Sequence, residues 1–444
     1  MNKKVFVLGM ARSGYEVAKL LSVYNNEIII NDMDVTQEPE HVSELQKLGV
    51  NIILGEHPDD ALDESFDYLI KNPGIKDSHK YVEFCKEKGI EVLNEIEVAY
   101  HFLPKDISII GITGTNGKTT TATLIYKLLS TMYPNTYLAG NIGFPLSSFV
   151  GKISPGDYLV LEVSVQQLMN TKNFKTNVSV LTNLAEAHLD HTNGYDNYLT
   201  FKGKIFDSHS ENDIAVINKN NDKSLEVTEN IKSSKQYFSI DKNCECFIEN
   251  GIIFYKGEEI IKLCDIKVVG NHNYENIMCA ISVAKIYGVS NEVILDVLSN
   301  FIGVEHRLEF VTEYKNRKFY NDSKSTNNES AITALKVFGD PIVIIMGGLD
   351  RGQNFEELGS YVNNVKLIVA YGETKDRIGK FAELYSKKCI VHDNLEESII
   401  TAYKNSSEND IILLSPACAS LDQYKNIEER GTEFKRVVTE ISEG

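Results

Sequence analysis

The segment Gly111-Ile-Thr-Gly-Thr-Asn-Gly-Lys-Thr-Thr120 gathers the residue types that hold phosphate groups. Successive backbone N–H groups at a helix start can cradle phosphate oxygens, Lys118 adds a point charge, and Thr119 offers a hydroxyl to a magnesium ion. The apolar run Ile107–Ile110 precedes it and a helical pattern, Thr121–Leu129, follows, which is the strand, glycine loop and helix order of a P-loop. The usual first glycine of that motif would fall at Ile112, and Gly111 and Gly114 stand on either side of it. A nucleotide triphosphate site spanning Gly114, Thr115, Asn116, Gly117, Lys118, Thr119 and Thr120 is expected, against a glycine turn that merely caps a helix.

Two further groups could serve a metal. The apolar run Tyr158–Leu161 delivers Glu162 and Ser164 to its C-terminal end, where a carboxylate could hold Mg²⁺ beside the phosphates. After Val178–Leu181 comes Thr182-Asn-Leu-Ala-Glu-Ala-His188-Leu-Asp190-His191, in which the two histidines and the aspartate are either metal ligands or structural side chains. Lys202 and Lys204 lie in Tyr198-Leu-Thr-Phe-Lys-Gly-Lys-Ile-Phe, an amphipathic helical pattern whose lysines read, on pattern alone, as a solvated face.

In the last third, three apolar runs end in polar loops: Asn321-Asp-Ser-Lys324-Ser-Thr-Asn327, Met346-Gly-Gly-Leu-Asp350-Arg351-Gly, and Leu414-Ser-Pro-Ala-Cys-Ala-Ser420-Leu-Asp-Gln423. Three polar strand ends in one sheet predict a pocket along one edge. Near the start, Gly9-Met-Ala-Arg-Ser-Gly14 follows a first strand, and a second ends at Asn31-Asp32. Ala11 stands where a dinucleotide loop has the glycine that admits a pyrophosphate, so a βαβ unit without ligand and a site for a nucleotide-diphosphate sugar both stay open.

The elements that must position these residues follow from the rhythm of the chain. Short apolar runs such as Val5–Leu8, Glu27–Ile30, Tyr68–Ile70, Ile342–Met346, Leu367–Ala370 and Ile411–Leu414 alternate with amphipathic stretches, which argues for an α/β fold of doubly wound parallel sheets. Cys246–Phe247 and Ile252–Tyr255 suggest extra sheet in the middle of the chain. At 444 residues, and about 150 per domain, three domains are expected. A boundary falls near Pro104 and another near Gly303, giving domains 1–100, 101–302 and 303–444. With 42% hydrophobic and 24% charged residues the composition is that of a globular protein. A net charge of −18 repels a phosphate backbone, so nucleic acid is set aside as partner. Seven scattered cysteines form neither a zinc pattern nor an even disulfide framework. No run approaches the roughly eighteen apolar residues of a membrane span, and the start reads as a strand rather than a signal peptide, so a cytoplasmic protein that does not engage a membrane is expected.

Taken together, Gly114–Thr120, Gly140-Asn-Ile-Gly143, His188-Leu-Asp190, Asn321–Asn327 and Ser415–Gln423 resemble the Mur ligase family, from the first strand to the last helix. Gly-Thr-Asn-Gly-Lys-Thr marks the superfamily; Ser-Pro-Ala-Cys-Ala-Ser-Leu-Asp-Gln and Gly-Gly-Leu-Asp-Arg-Gly are the more specific pair and point to its D-glutamate-adding branch. The resemblance implies a Rossmann-like UDP-sugar domain, a central P-loop ATPase-like domain with a mostly parallel sheet, and a Rossmann-like C-terminal domain that binds the amino acid. By matching positions it implies Lys118, His188 and Lys204 as catalytic residues. Thr119 and Glu162 would ligate one Mg²⁺, and His188 with Lys204, the latter carbamylated, a second. Asn276, Arg307 and Asp322 match nucleotide contacts; Asn72, Gly74 and Asn141 match positions near the UDP-sugar; Lys324, Thr326, Arg351, Ser420 and Leu421 match the D-glutamate pocket. Departures are Ala187, where an Asp commonly precedes the His, Val165-Gln166 for a small residue and an aromatic, and Ile427 for an aromatic.

The implied activity is ATP-dependent addition of D-glutamate to UDP-N-acetylmuramoyl-L-alanine in peptidoglycan precursor synthesis, through an acyl phosphate and a tetrahedral intermediate, with ATP, two Mg²⁺ ions and a monomeric enzyme. Rivals are another peptidoglycan amino-acid ligase, folylpolyglutamate synthase, an NAD-dependent dehydrogenase built on the first βαβ unit, and a P-loop regulatory switch.

Overall fold

The structure is a computed structural model describing residues 2–186, 192–241, 244–268 and 270–443. The chain divides into two compact units, Met1–Asn300 and Phe301–Gly444.

The described residues form three sheets, two of them in the first unit. Strands β1 (Lys4–Leu8), β2 (Glu27–Asp32), β3 (Asn51–Leu54), β4 (Tyr68–Lys71) and β5 (Glu91–Leu93) are parallel in the order β3-β2-β1-β4-β5. That order reverses direction between β1 and β4, the crevice where doubly wound folds place a ligand. Val5, Phe6, Val7 and Leu8 are all buried, because helices cover both faces of a parallel sheet and leave no side for polar alternation.

The second sheet holds β6 (Ser108–Thr113), β7 (Thr136–Gly140), β8 (Tyr158–Glu162), β9 (Val178–Leu181), β10 (Ile214–Asn218), β11 (Ser234–Ser239), β12 (Cys246–Glu249), β13 (Ile252–Tyr255) and β14 (Glu258–Lys262). Its order is β14-β13-β12-β11-β10-β9-β6-β8-β7, parallel except for the meander β12-β13-β14. The middle-of-chain strand pieces expected from the sequence are this meander, an extension of the central sheet. Strands β7 and β10 are not among the expected runs: β7 is a half-buried edge, and the short apolar run Ile214–Ile217 that makes most of β10 is not distinguishable by period from a turn of buried helix.

Two buried glutamates from Glu95–Tyr100 fasten the first sheet's layer to the second. Glu95 accepts from Ser147 N and Oγ, both at 2.5 Å. Glu97 accepts from three successive amides, Lys172 N (2.9 Å), Asn173 N (2.8 Å) and Phe174 N (3.0 Å).

The second unit carries β15 (Glu309–Tyr314), β16 (Arg317–Asn321), β17 (Ile342–Gly347), β18 (Val365–Tyr371), β19 (Lys388–Val391) and β20 (Ile411–Leu414) in the order β15-β16-β20-β17-β18-β19, with only the β15–β16 pair antiparallel. All six residues of β17 are buried. Strands β16, β20 and β17 are neighbours, so the three polar strand ends read from the sequence lie side by side on one edge.

Candidate active site

Strands β9, β6 and β8 are adjacent, and their C-terminal ends bring together the phosphate loop, Thr182-Asn183 and Glu162. The loop leaves β6 and enters the helix Lys118–Met132 at Gly117, which no side chain caps, so the first N–H groups of that helix face outward for an anion. Gly114 and Gly117 have φ of +141° and +83°. A Cβ on Gly114 would lie 2.0 Å from Thr182 Oγ1, and one on Gly117 would lie 2.1 Å from Asn276 Oδ1. Both glycines are therefore required by backbone angle and by close approach.

The strand end after β9 braces this loop. Thr115 N donates to Asn183 O (2.8 Å), Asn116 N to Asn183 Oδ1 (3.0 Å) and Thr182 Oγ1 to Asn116 O (2.6 Å). Thr115 Oγ1 accepts from Ala185 N (2.9 Å) and sits 2.7 Å from the Tyr198 hydroxyl. Asn276, on the helix Asn271–Ile286, reaches Thr121 Oγ1 (3.3 Å) and abuts Gly117, so the structure places it against the loop. Lys118 folds back, donating to Gly114 O (2.9 Å) and Thr115 O (2.8 Å). His188, together with Ala187, lies outside the described residues. Among the described residues no group of three His, Cys, Asp or Glu side chains is placed to hold a metal.

Glu162 is buried at the end of β8; its Oε1 accepts from Asn141 Nδ2 (2.8 Å), while its Oε2 is buried with no hydrogen-bond partner among the described residues. A desolvated carboxylate oxygen left unpaired beside an anion cradle is the chemistry of a cation ligand. Asn141 is exposed and also donates its N–H to Glu162 O (2.9 Å), which brings Asn141 and Glu162 together at one edge.

The two lysines of the helical pattern separate sharply. Lys202 is buried beneath the loop: Nζ donates to Thr113 Oγ1 (3.0 Å) and Gly114 O (2.9 Å), and the Thr113 hydroxyl donates in turn to Val163 O (2.8 Å). Burial pushes the Lys202 ammonium well below its ordinary pKa, the nearby Lys118 charge adds to this, and Glu162 partly opposes it. Lys204 departs from the expectation. Its Nζ donates to Met169 O (2.9 Å) and Thr171 O (2.7 Å), beyond the far end of the helix Val165–Met169 from Glu162; burial lowers its pKa, and Asp207 and Glu97 partly oppose this. The lysine at the phosphate loop is thus Lys202, which the pattern alone assigns to a solvated face. The signal that finds it is its phase: Tyr198, Leu199 and Lys202 stand at i, i+1 and i+4, on one helix face, and the first two are buried.

At the first sheet's crevice, Met10 N donates to Asp32 Oδ2 (2.6 Å), Asn72 Nδ2 to Ser13 Oγ (3.0 Å) and Gly74 N to Asn72 Oδ1 (3.1 Å). The Gly9–Gly14 turn and Asn72-Pro-Gly74 therefore meet across β1 and β4, which the sequence could not indicate. The departures Val165 and Gln166 open a helix whose N-cap Ser164 forms a capping box with Gln167.

In the second unit, Asp322, Lys324 and Thr326 follow β16, Ser420 and Leu421 follow β20, and Arg351 follows β17. Asp322 is buried, which pushes its carboxyl up to about 6; it accepts from Leu308 N (3.1 Å), Ser415 Oγ (3.0 Å) and the Ser325 hydroxyl. Arg307 and Arg351 are exposed, as is Leu421, and the Ser420 hydroxyl is buried without a partner among the described residues. The structure thus brings the Lys324, Ser420 and Arg351 loops to one sheet edge.

Comparison with known proteins places these geometries in a common frame. The Mur ligase MurD-like N-terminal domain matches residues 3–94, the Mur ligase middle domain residues 112–284, and the Mur ligase glutamate ligase domain residues 306–418. The UDP-N-acetylmuramoylalanine--D-glutamate ligase of Geobacillus kaustophilus is 40% identical over 444 residues, covering 99% of this chain and 98% of that protein. The protein of the same name from Listeria monocytogenes serovar 1/2a is 40% identical over 445 residues, covering 100% of this chain and 97% of that protein. In fold the chain is similar to the solved UDP-N-acetylmuramate-alanine ligase MurC of Thermotoga maritima (TM-score 0.59, 19% identity, 99% of this chain and 100% of that one). It is also similar in fold to MurF of Acinetobacter baumannii (TM-score 0.58, 16% identity, 95% and 92%). With matching domains in the same order and end-to-end relatives at this identity, the chain belongs to the Mur ligase family.

Proposed function

We infer that this chain is an ATP-dependent ligase that adds D-glutamate to UDP-N-acetylmuramoyl-L-alanine in peptidoglycan precursor synthesis. The observation that carries the catalytic reading is the convergence, on β9, β6 and β8, of a helix N-terminus that opens on Gly117, a buried carboxylate oxygen on Glu162 unpaired among the described residues, and a buried lysine held well below its ordinary pKa, Lys202. The substrates follow from the names of its full-length relatives.

A free carboxylate does not react with an amine, so it must first be activated. The muramoyl-alanine carboxylate attacks the γ-phosphorus of ATP, ADP leaves, and an acyl phosphate results. The D-glutamate amine then attacks the acyl carbon, and the tetrahedral intermediate collapses to amide and phosphate. In this reading Gly114–Thr120 hold the phosphates, with Lys118 released from its carbonyl contacts to meet them; Asn276, Arg307 and Asp322 serve the nucleotide. Asn72, Gly74 and Asn141 serve the UDP-sugar, and Lys324, Thr326, Arg351, Ser420 and Leu421 the amino acid.

Mg²⁺ fits the donor set of Thr119 and Glu162 and would screen the charge of the two anions brought together there. A second ion would use His188 and a lysine carbamate; burial lowers the pKa of both Lys202 and Lys204, and Lys202 is the one that stands at the phosphate loop, where the carbamate is needed. The reading goes with a cytoplasmic, monomeric enzyme built as domains 1–100, 101–302 and 303–444; among the described residues no helix is long and apolar enough to cross a membrane.

The test is ATP-dependent phosphate release with UDP-N-acetylmuramoyl-L-alanine and a panel of amino acids. Turnover with D-glutamate alone is expected; turnover with L-glutamate or a diamino acid but not D-glutamate overturns the assignment.

A further inference from the structure

Arg430 is a fully buried cation in the first turn of the helix Ile427–Glu443, where the helix dipole disfavours positive charge. Its guanidinium bonds go to loop oxygens: Nε donates to Ser323 Oγ (3.0 Å), Nη2 to Ser323 O (2.7 Å) and Nη1 to Cys418 O (3.0 Å). Ser323 Oγ in turn donates to Ile427 O (2.8 Å), closing the ring back onto the helix. The third loop rests on the same group, since a Cβ on Gly348 would lie 3.2 Å from Nη1 and 2.2 Å from Ala419 O. One planar fork therefore bonds the loops that follow β16 and β20 and leaves no room for a side chain on Gly348 in the loop that follows β17; these loops carry the residues assigned to the amino acid, Lys324, Ser420 and Arg351.

We propose that Arg430 is a positioning residue for the amino-acid substrate, setting the spacing of the Lys324, Arg351 and Ser420 loops through its hydrogen bonds to Ser323 and Cys418. The proposal rests on the reading that these loops receive D-glutamate. It is selective, because the nucleotide-side carboxylate Asp322 is fastened separately by Leu308, Ser325 and Ser415. Lysine at this position keeps the charge but not the fork, so it cannot hold a hydroxyl and two carbonyls in three fixed directions.

The experiment compares wild type with R430K, R430A and S323A by steady-state phosphate release and thermal unfolding. Wild type is first shown to require D-glutamate, so failure of the functional reading is seen before any variant is made. R430K is expected to raise the KM for D-glutamate about tenfold or more while the KM for ATP stays within about twofold. S323A, which removes the Nε acceptor alone, is expected to give a smaller rise of the same kind. Should R430A fail to fold, R430K and S323A decide the matter. An unchanged D-glutamate KM in folded R430K and S323A overturns the proposal, as does an equal rise in all KM values with a lowered unfolding temperature, which marks a merely structural arginine.

Discussion

Lys202 Nζ lies 2.9 Å from the carbonyl oxygen of Gly114, inside the turn of the phosphate loop. A buried amine in that position both supports the loop and, in its neutral form, is a nucleophile for CO₂.

K202A is expected to lower turnover by about a hundredfold or more, with partial return on adding short carboxylic acids that replace a carbamate, whereas K204A stays within several-fold of wild type. Phosphate release by the two variants, with and without acetate, checks this. An active K202A with an inactive K204A sinks the assignment.

Glu162 Oε2 has no hydrogen-bond partner among the described residues, so its charge is available to a cation. E162Q keeps the size of the side chain but removes the charge. It is expected to raise the Mg²⁺ concentration for half-maximal rate by about tenfold or more at saturating ATP, an effect read from a magnesium titration.

Gly117 has φ of +83°, and a methyl group there would lie 2.1 Å from Asn276 Oδ1. G117A is expected to cut kcat/KM for ATP by about a hundredfold while the chain still folds. ATP binding by calorimetry and unfolding by circular dichroism separate the two effects.

Glu95 is wholly buried, which pushes its carboxyl up to about 7. Its folded form holds the proton over a range where the unfolded chain, with a carboxyl near 4.5, has lost it. Between about pH 4.5 and 7 the folded state binds more protons, so this group makes stability fall as pH rises, by at most about 1.4 kcal/mol per pH unit, and the penalty is complete above 7. E95Q is expected to flatten that part of the profile and to gain stability over wild type most at pH 8. His209, a buried imidazole held down at about 4, contributes equally to both proteins and cancels in the difference. Urea unfolding of both from pH 5 to 8 gives the comparison; parallel curves contradict it.

Much of the architecture is legible in the chain. The apolar runs Val5–Leu8, Val178–Leu181 and Ile342–Met346 are strands, since a strand buried on both faces must be apolar throughout. The glycine-lysine-threonine loop is where a strand meets a helix, since its conformation is dictated locally. Strand β7, a half-buried edge of mixed residues, and β10, a short apolar run, are not legible, and neither is the seating of Asn276 on Gly117, because residues 159 positions apart in a chain carry no local sign of contact.

Arg430 shows the same limit from the other side. It shares a helix face with Phe434, Val437 and Val438, all buried, so its phase foretells burial, but not that Ser323 and Cys418 receive its protons.

The sequence by itself determined that a phosphate loop, an acid at a neighbouring strand end and three polar loops in the last third exist, because each is written in residues close together. Only the tertiary structure decided which lysine serves the loop. Residues two positions apart along a helix are rotated by about 200°, so the face that buries Tyr198 and Leu199 sends Lys202 to Thr113 and Gly114 and turns Lys204 elsewhere. Packing of Tyr198 and Leu199 chose Lys202.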